Sequence, residues 1–407
     1  MLALLSEMVD RGFRVYAYAS KEYQMQIQAA HAIFRELFIY KERYQTVFGE
    51  KEGDTAYFTL SSLQSIASWE LSMNTFAARV LIQEISKINP SLLLYNSLFQ
   101  FPEQLAAILH IPCISVFSSY PYNPLWLNQH AEYCLSKAFC LEKPYCRDAD
   151  TTVKTLRAMS ILCARNHGEK SLYSINKNFL LNNRYSFGNY SIVFDIPKAQ
   201  IFETPVNPSL RFYGSYTMEF KEKHVFHRRK KVIVTFGNQH LFLNDQFRTN
   251  YAQILVTLSK FQCDTVVAAP EQFQLDSLVA SKHTLIRSKI DLQRELVNAD
   301  LFITHGGMCG VREAMYFEVP CLVMPVHADN FLVADMISNH GLGAVHQLGQ
   351  SLCDLEQKIR RLLTDDTVSH RVARWSVKLK SSGGEAKAVN EIVSFLHSSS
   401  AAREVES

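Results

Sequence analysis

The 407-residue sequence lacks any marked excess of charge of one sign: 42 Lys and Arg stand against 39 Asp and Glu, a formal net charge of +3. A balance so near neutrality gives no electrostatic footprint for nucleic acid or an anionic membrane, so the expected partners are small molecules and not nucleic acid. Long apolar runs are lacking too. None approaches the ~20 residues that cross a bilayer, so no integral membrane segment is expected. No basic stretch precedes "LALL", and Glu7 and Asp10 follow too soon for a secretory leader, which points to a cytoplasmic protein. The nine cysteines are an odd number scattered along the chain, as expected of reduced thiols. Cys134, Cys140 and Cys146 are evenly spaced near His130 and His167. Zinc ligands usually pair about two to four residues apart, so buried thiols and no metal are expected there. Internal repeats are missing, and low complexity is confined to a short Ser-rich tail.

What is present suits a globular enzyme-sized chain: 47% hydrophobic and 20% charged residues, long enough for two domains. Leu2, Leu5, Met8 and Val9 share one helical face, and Gly12 stands at a helix end. "FRVYAYAS", residues 13–20, reads as the strand that follows. A helix feeding a buried strand needs a strand before it, and none is found ahead of Met1. Residues 90–117 give a second unit: an apolar run ending at Asn96, a helix over about Pro102 to His110, and the buried strand "CISVF". From 118 to 190 periodicity weakens and aromatic and polar residues mix. Tyr120, Tyr122 and Trp126 read either as core aromatics under covering helices or as the lining of an apolar acceptor pocket. "FKEKHVFHRRKK" is a solvated charge run and marks a linker. Beyond it "KVIVTFG", "DTVVAAP", "LFITHGG" and "PCLVMPV" are buried strands with helical stretches between them, so both halves read as doubly wound, Rossmann-like α/β domains.

"THGGMCGVREAM", residues 304–315, sits at a strand-to-helix turn. Glycines there let a ligand approach the backbone, and the helix start carries a partial positive charge of about half a unit, a place for phosphate. His305 offers a donor to an anionic oxygen, and Glu313, farther along the helix, an acceptor for sugar hydroxyls. The strand ends at Gly237–Asn238 and at His327–Asn330 point to the same crevice of an open parallel sheet. Taken alone, Gly-Gly-x-x-Gly is equally the mark of an ordinary tight turn.

Residues 300–343, "DLFITHGGMCGVREAMYFEVPCLVMPVHADNFLVADMISNHGLG", closely resemble the donor-binding signature of nucleotide-sugar-dependent glycosyltransferases of the macrolide and plant secondary-metabolite type. "LALLSEMVDRGFRVYAYAS", "LRFYGSYT" and "SSGGEAKAVNEIVSFL" resemble other parts of the same family. The resemblance implies a GT-B fold, two such domains facing across a cleft, with the first strand of the N-terminal one missing. It implies residues 1–219 as an acceptor-binding domain, 220–230 as linker, and 231–385 as a nucleotide-sugar-binding domain. Residues 386–407 would be a C-terminal helix and tail, the helix packing back on the first domain. The implied reaction is inverting, metal-independent transfer of a hexose from a UDP- or TDP-sugar to a hydroxyl of a small apolar acceptor, with no cofactor besides the co-substrate. By the same resemblance His305, Gly306 and Gly307 form the diphosphate turn, with Met308, Cys309 and Gly310 opening the helix beside it. Glu313 takes the ribose, Asp329 and Asn330 the sugar hydroxyls, Gly237 and Asn238 the loop beside the donor, and Ile290 the segment beside the base.

The sequence also departs from the pattern. The family's catalytic histidine would lie ahead of Met1, and Asn96 stands where its partner aspartate is expected; a neutral amide does not stabilise an imidazolium as a carboxylate does. Lys289, Ile290, Asp291 and Leu292 replace a base-stacking Trp-x-Pro-Gln, Gly310 a phosphate-binding serine and Cys309 an asparagine. Stacking is worth roughly 1–3 kcal/mol and a hydrogen bond to a charged group about 1.5–3 kcal/mol. Two readings follow: an active transferase whose polypeptide begins upstream of Met1, or a relative that binds a nucleotide sugar or an apolar ligand without turnover. A dinucleotide-dependent oxidoreductase fits less well, because no ribose-binding acid follows the turn at ~20 residues.

Overall fold

A computed structural model describes residues 1–37, 58–167, 172–203, 207–218, 229–237, 244–273, 275, 282–326, 329–347 and 349–406. The chain divides into two compact units, one of Met1–Pro197, Phe202–Thr217 and Ser382–Ser407, the other of Lys198–Ile201 and Met218–Ser381. Both are α/β, and every strand pairing among the described residues is parallel. The expected linker lies outside the described residues as far as 228.

In the first unit, α1 (Leu2–Asp10) buries Leu4 and Met8. The chain then turns through Gly12, with the Phe13 amide bonded to the Met8 carbonyl, so that strand β1 begins only at Tyr16 and ends at Ala19. A short helix, α2 (Gln24–Ala29), leads to β2 (Ile33–Glu36), paired with β1. Helix α3 (Leu60–Ile88) starts where Thr59 accepts the Ser62 amide in a capping box, and its apolar residues recur at three- and four-residue spacing from Leu63 to Ile85. It ends at left-handed Asn89, ahead of Pro90. Next come β3 (Leu93–Asn96), α4 (Phe101–Leu109), β4 (Cys113–Phe117), α5 (Ala149–His167), β5 (Tyr190–Val193) and β6 (Leu210–Phe212). These strands make a four-stranded sheet in the order β3-β4-β5-β6, separate from the β1-β2 pair.

The second unit holds one six-stranded sheet in the order β12-β11-β10-β7-β8-β9. Its strands are β7 (Lys230–Thr235), β8 (Cys263–Ala268), β9 (Thr284–Arg287), β10 (Leu301–Thr304), β11 (Cys321–Val323) and β12 (Gly343–Val345). Between and after them run α6 (Asn244–Leu258), α7 (Leu292–Leu296), α8 (Met308–Tyr316), α9 (Asp329–Asn339), α10 (Leu352–Thr364) and α11 (Asp366–Ser381). All four residues of β10 are buried, as a central strand covered on both faces requires. The final helix α12 (Gly384–Glu406) belongs to the first unit, where Ala388, Val389 and Ile392 share a core with Leu4 and Met8.

Candidate functional site

Strand order places the site. From β7 the chain winds outward to β8 and β9, then returns to β10 on the other side of β7, so the direction of winding reverses between β7 and β10. Ligands of open α/β sheets bind beyond the strand ends at such a point. The ends that meet there are Thr235–Gly237 and Thr304–Gly307, the residues singled out from sequence.

The turn is shaped around one imidazole. His305 is only 8% exposed. A side chain on Gly307 would stand 2.7 Å from its Nε2, and one on Gly237 would stand 3.2 Å from its Cε1, so glycine at both positions leaves room for the ring. The Phe236 ring lies 6.5 Å away, centre to centre. Gly306 has φ +94°, where a side chain would also meet Val323 Cγ1 at 2.8 Å and the Asn330 carbonyl at 3.3 Å. Only glycine fits there without strain. Its amide reaches Thr304 Oγ1 at 3.4 Å, and the Gly237 amide reaches Thr235 Oγ1 at 3.1 Å, so each strand's last threonine steadies the turn that follows it.

Helix α8 opens with Gly307 as its cap residue, and no side chain caps it. Its first-turn amides and the positive end of its dipole therefore have no competing side-chain anion at Gly307. Cys309 is exposed and Gly310 half-buried, whereas Met308 is 3% exposed, so Met308 brings its backbone to the turn and its side chain to the core. Glu313 accepts from Gln293 Nε2 at 3.2 Å. Nothing in the sequence had marked Gln293; the contact depends on α7 packing beside α8. Asp329 begins α9 and Asn330 follows it, buried, with its side chain 3.4 Å from Asp329 Oδ1. Gly306 and Asn330 are in contact range, so the turn and the start of α9 form one structure. Asn238 and His327 lie outside the described residues. Ile290 is half-buried just before α7, and the adjacent Asp291 caps that helix by accepting the Arg294 amide, which gives the unusual "KIDL" segment a structural role.

In the first unit, Asn96 ends β3 with both ends of its amide engaged: Nδ2 donates to Ser118 Oγ at 2.8 Å, and Oδ1 accepts the Leu98 amide at 3.0 Å. Tyr120, Tyr122 and Trp126 are fully buried. Tyr122 packs edge-on against Trp126 and Phe139 and stacks on Tyr185, so these contacts are those of a packed aromatic core. Cys134, Cys140, Cys146 and Cys163 are buried thiols, and Cys140 and Cys146 lie against backbone carbonyls.

Known proteins supply the context. Residues 293–380 match the family model described as UDP-glucoronosyl and UDP-glucosyl transferase. An uncharacterized UDP-glucosyltransferase of Bacillus subtilis, YojK, is 22% identical over 96% of this chain and 93% of its own length. The zeaxanthin glucosyltransferase of Pantoea ananas is 33% identical over 29% of this chain and 28% of its own. Among solved structures, the calicheamicin glycosyltransferase CalG4 superposes with a TM-score of 0.69 at 19% identity, covering 97% of this chain and 94% of that one. The chain shares the GT-B fold of these solved glycosyltransferases and is similar along nearly its whole length to a UDP-glucosyltransferase. The spinosyn rhamnosyltransferase SpnG, solved with thymidine diphosphate, aligns with a TM-score of 0.62 at 15% identity over 96% of this chain and 95% of its own. Glycosyl transfer is the activity in the names of these relatives, and the segment that matches the family model runs from α7 through α11, enclosing the turn at His305.

Proposed function

We propose that the protein binds the diphosphate of a UDP- or TDP-sugar at the His305–Gly310 turn and transfers its hexose, with inversion and without a metal ion, to a hydroxyl of a small apolar acceptor. The observation that carries this reading is the imidazole of His305 set between Gly237 and Gly307 where the winding of the sheet reverses. There the α8 amides and the imidazole meet the charge that grows on a departing diphosphate, a fixed positive site that needs no rearrangement during reaction. Glu313, held by Gln293, faces the ribose hydroxyls, and Asp329 with Asn330 the sugar hydroxyls. Tyr120, Tyr122 and Trp126, buried in the core, support the acceptor side from behind and do not line it.

A second reading, donor binding without turnover, draws on Asn96. Its amide is satisfied by Ser118 and Leu98, and it brings no negative charge to orient a base. Aspartate at this position keeps both contacts as an acceptor. Calorimetry with UDP and TDP tests the donor site, and glucoside formation with release of UDP from UDP-glucose and phenolic acceptors tests turnover. If neither nucleotide binds, both readings fail; binding without turnover selects the second.

A further inference from the structure

Strands β7 and β8 stay paired as far as Thr235 and Ala268. The Asp300 amide donates to the Lys231 carbonyl, so the odd-numbered residues of β7 turn their backbone groups toward β10 and the even-numbered ones toward β8. The Ala269 amide goes to the Arg287 carbonyl of β9, so Ala268 turns toward β7. In a regular parallel ladder the Phe236 amide would therefore bond the Ala268 carbonyl directly. Instead the hydroxyl of Tyr251, on α6, stands between them. It accepts the Phe236 amide at 3.1 Å and donates to the Ala268 carbonyl at 2.6 Å. Burial pushes this hydroxyl above the usual tyrosine range, so it keeps the proton that it shares with Ala268.

Two hydrogen bonds in series span more distance than one, so β7 parts from β8 at the end of the sheet where ligands bind. The next residue of β7 lies against the turn after β10. Gly237, at φ +57°, donates its amide to Thr235 Oγ1 at 3.1 Å, and a carbon added to it would meet His305 Cε1 at 3.2 Å. Packing holds the wedge in place. The Tyr251 ring is fully buried and meets the Phe236 ring edge-on, centres 4.9 Å apart, with the Phe273 ring at 5.9 Å. The Phe236 ring in turn lies 6.5 Å from the imidazole. One side chain of α6 thus fixes Phe236 through both its backbone and its ring, and Phe236 with Gly237 forms one wall of the His305 site.

We propose that Tyr251 is a positioning residue of the diphosphate site: its hydroxyl, wedged between β7 and β8, keeps Phe236 and Gly237 against the imidazole of His305 and so sets the geometry that grips the anion. This role rests on the donor reading above and adds to it a buried residue that acts only through its neighbours. Without the hydroxyl, the Phe236 amide and the Ala268 carbonyl close into the ladder bond that the wedge interrupts. Both groups stay satisfied, but Gly237 is drawn away from the ring. Stability and anion affinity therefore separate. A tyrosine with only a structural role would lower Tm and weaken every ligand alike.

Tyr251→Phe in the 407-residue protein keeps the ring and removes the wedge. Calorimetry with UDP and TDP is set against nuclear magnetic resonance titration with the matching nucleosides, which lack the diphosphate. Nucleotide affinity is expected to fall about tenfold and nucleoside affinity to change less than about twofold, with Tm within a few degrees of the wild type. The ring signals of His305 are expected to shift in the ligand-free variant. Gly237→Ala, which presses on the same imidazole, should reproduce the nucleotide loss, and the two substitutions together should lose less than the sum of their separate effects. If the wild type binds a nucleotide and Tyr251→Phe binds it equally well, or loses nucleotide and nucleoside in parallel, the positioning role is overturned and the donor site stands. Binding of neither nucleotide by the wild type removes the donor reading and this role with it.

Discussion

The two parallel sheets of this chain differ in continuity. The sheet of the second unit is unbroken, and its central strands β7 and β10 end at the glycines that surround His305. In the first unit the described strands form a pair and a separate set of four, and β3, at the edge of the four, ends in Asn96. A continuous sheet fixes its strand ends by bonding on both sides, whereas an edge strand is held on one side only. On the proposed reading, donor recognition rests on strand ends within one continuous sheet, whereas Asn96 ends a strand at the edge of another.

The largest expected effect strikes the complete side. Gly306→Val combines a left-handed backbone with contacts at Val323 and Asn330, costing about 1–3 kcal/mol in strain and a similar amount in overpacking. Nucleotide binding should become undetectable by calorimetry, with a clear fall in Tm; normal binding would show that the turn is not the anion site. Next, exchange at Phe302 and Ile303 of β10 should be slower than at Tyr16 and Tyr18 by about 100-fold, and equal rates would erase the contrast between the sheets. Restoring a hydroxyl is smaller again. A side-chain carbon on Gly310 meets Leu292 and Phe302 only at 3.5 Å, so Gly310→Ser fits, and a new charge-assisted hydrogen bond of about 1.5 kcal/mol should tighten UDP roughly tenfold in titration.

The smallest effect concerns a buried carboxyl of the first unit. Burial pushes Glu103 above the usual carboxylate range, although Ser186 donates to it. A raised folded-state value means that the folded protein favours the proton. The stability this gives is present at acid pH and is lost as pH rises from the unfolded value through the folded one. Glu103→Gln, which keeps an acceptor for Ser186, should raise Tm by a few degrees at pH 8 and change it little at pH 4; the reverse order would mean that Glu103 is stabilised as a carboxylate.

Much of the second unit was legible in the sequence because "KVIVTF" and "LFIT" are continuous apolar runs, which in a parallel sheet mean burial on both faces, and because glycines follow them. Thr284–Arg287, which alternates half-buried and exposed residues, and the half-buried Gly343–Val345 carry no such run and went unread. In the first unit, α3 was missed: Asn74 and Thr75 break its apolar face, yet both are buried, Asn74 accepting the Phe101 amide and Thr75 donating to the Leu71 carbonyl. The stretch after residue 118 left core and pocket open as readings of its aromatics, because polar residues mixed among them hide the burial of Tyr120, Tyr122 and Trp126 from the sequence pattern. At the site, the strand-end turns were visible as motif and spacing. The Gln293–Glu313 contact was not, because it depends on how α7 lies beside α8.

The account turns on His305 and its glycines gripping a diphosphate. Calorimetric titration of the wild type and of His305→Ala with UDP and with TDP measures this directly. The expected result is saturable binding of at least one nucleotide by the wild type and a loss of about tenfold or more in the variant, the size of one hydrogen bond to a charged group. Equal affinity in the two proteins would contradict it.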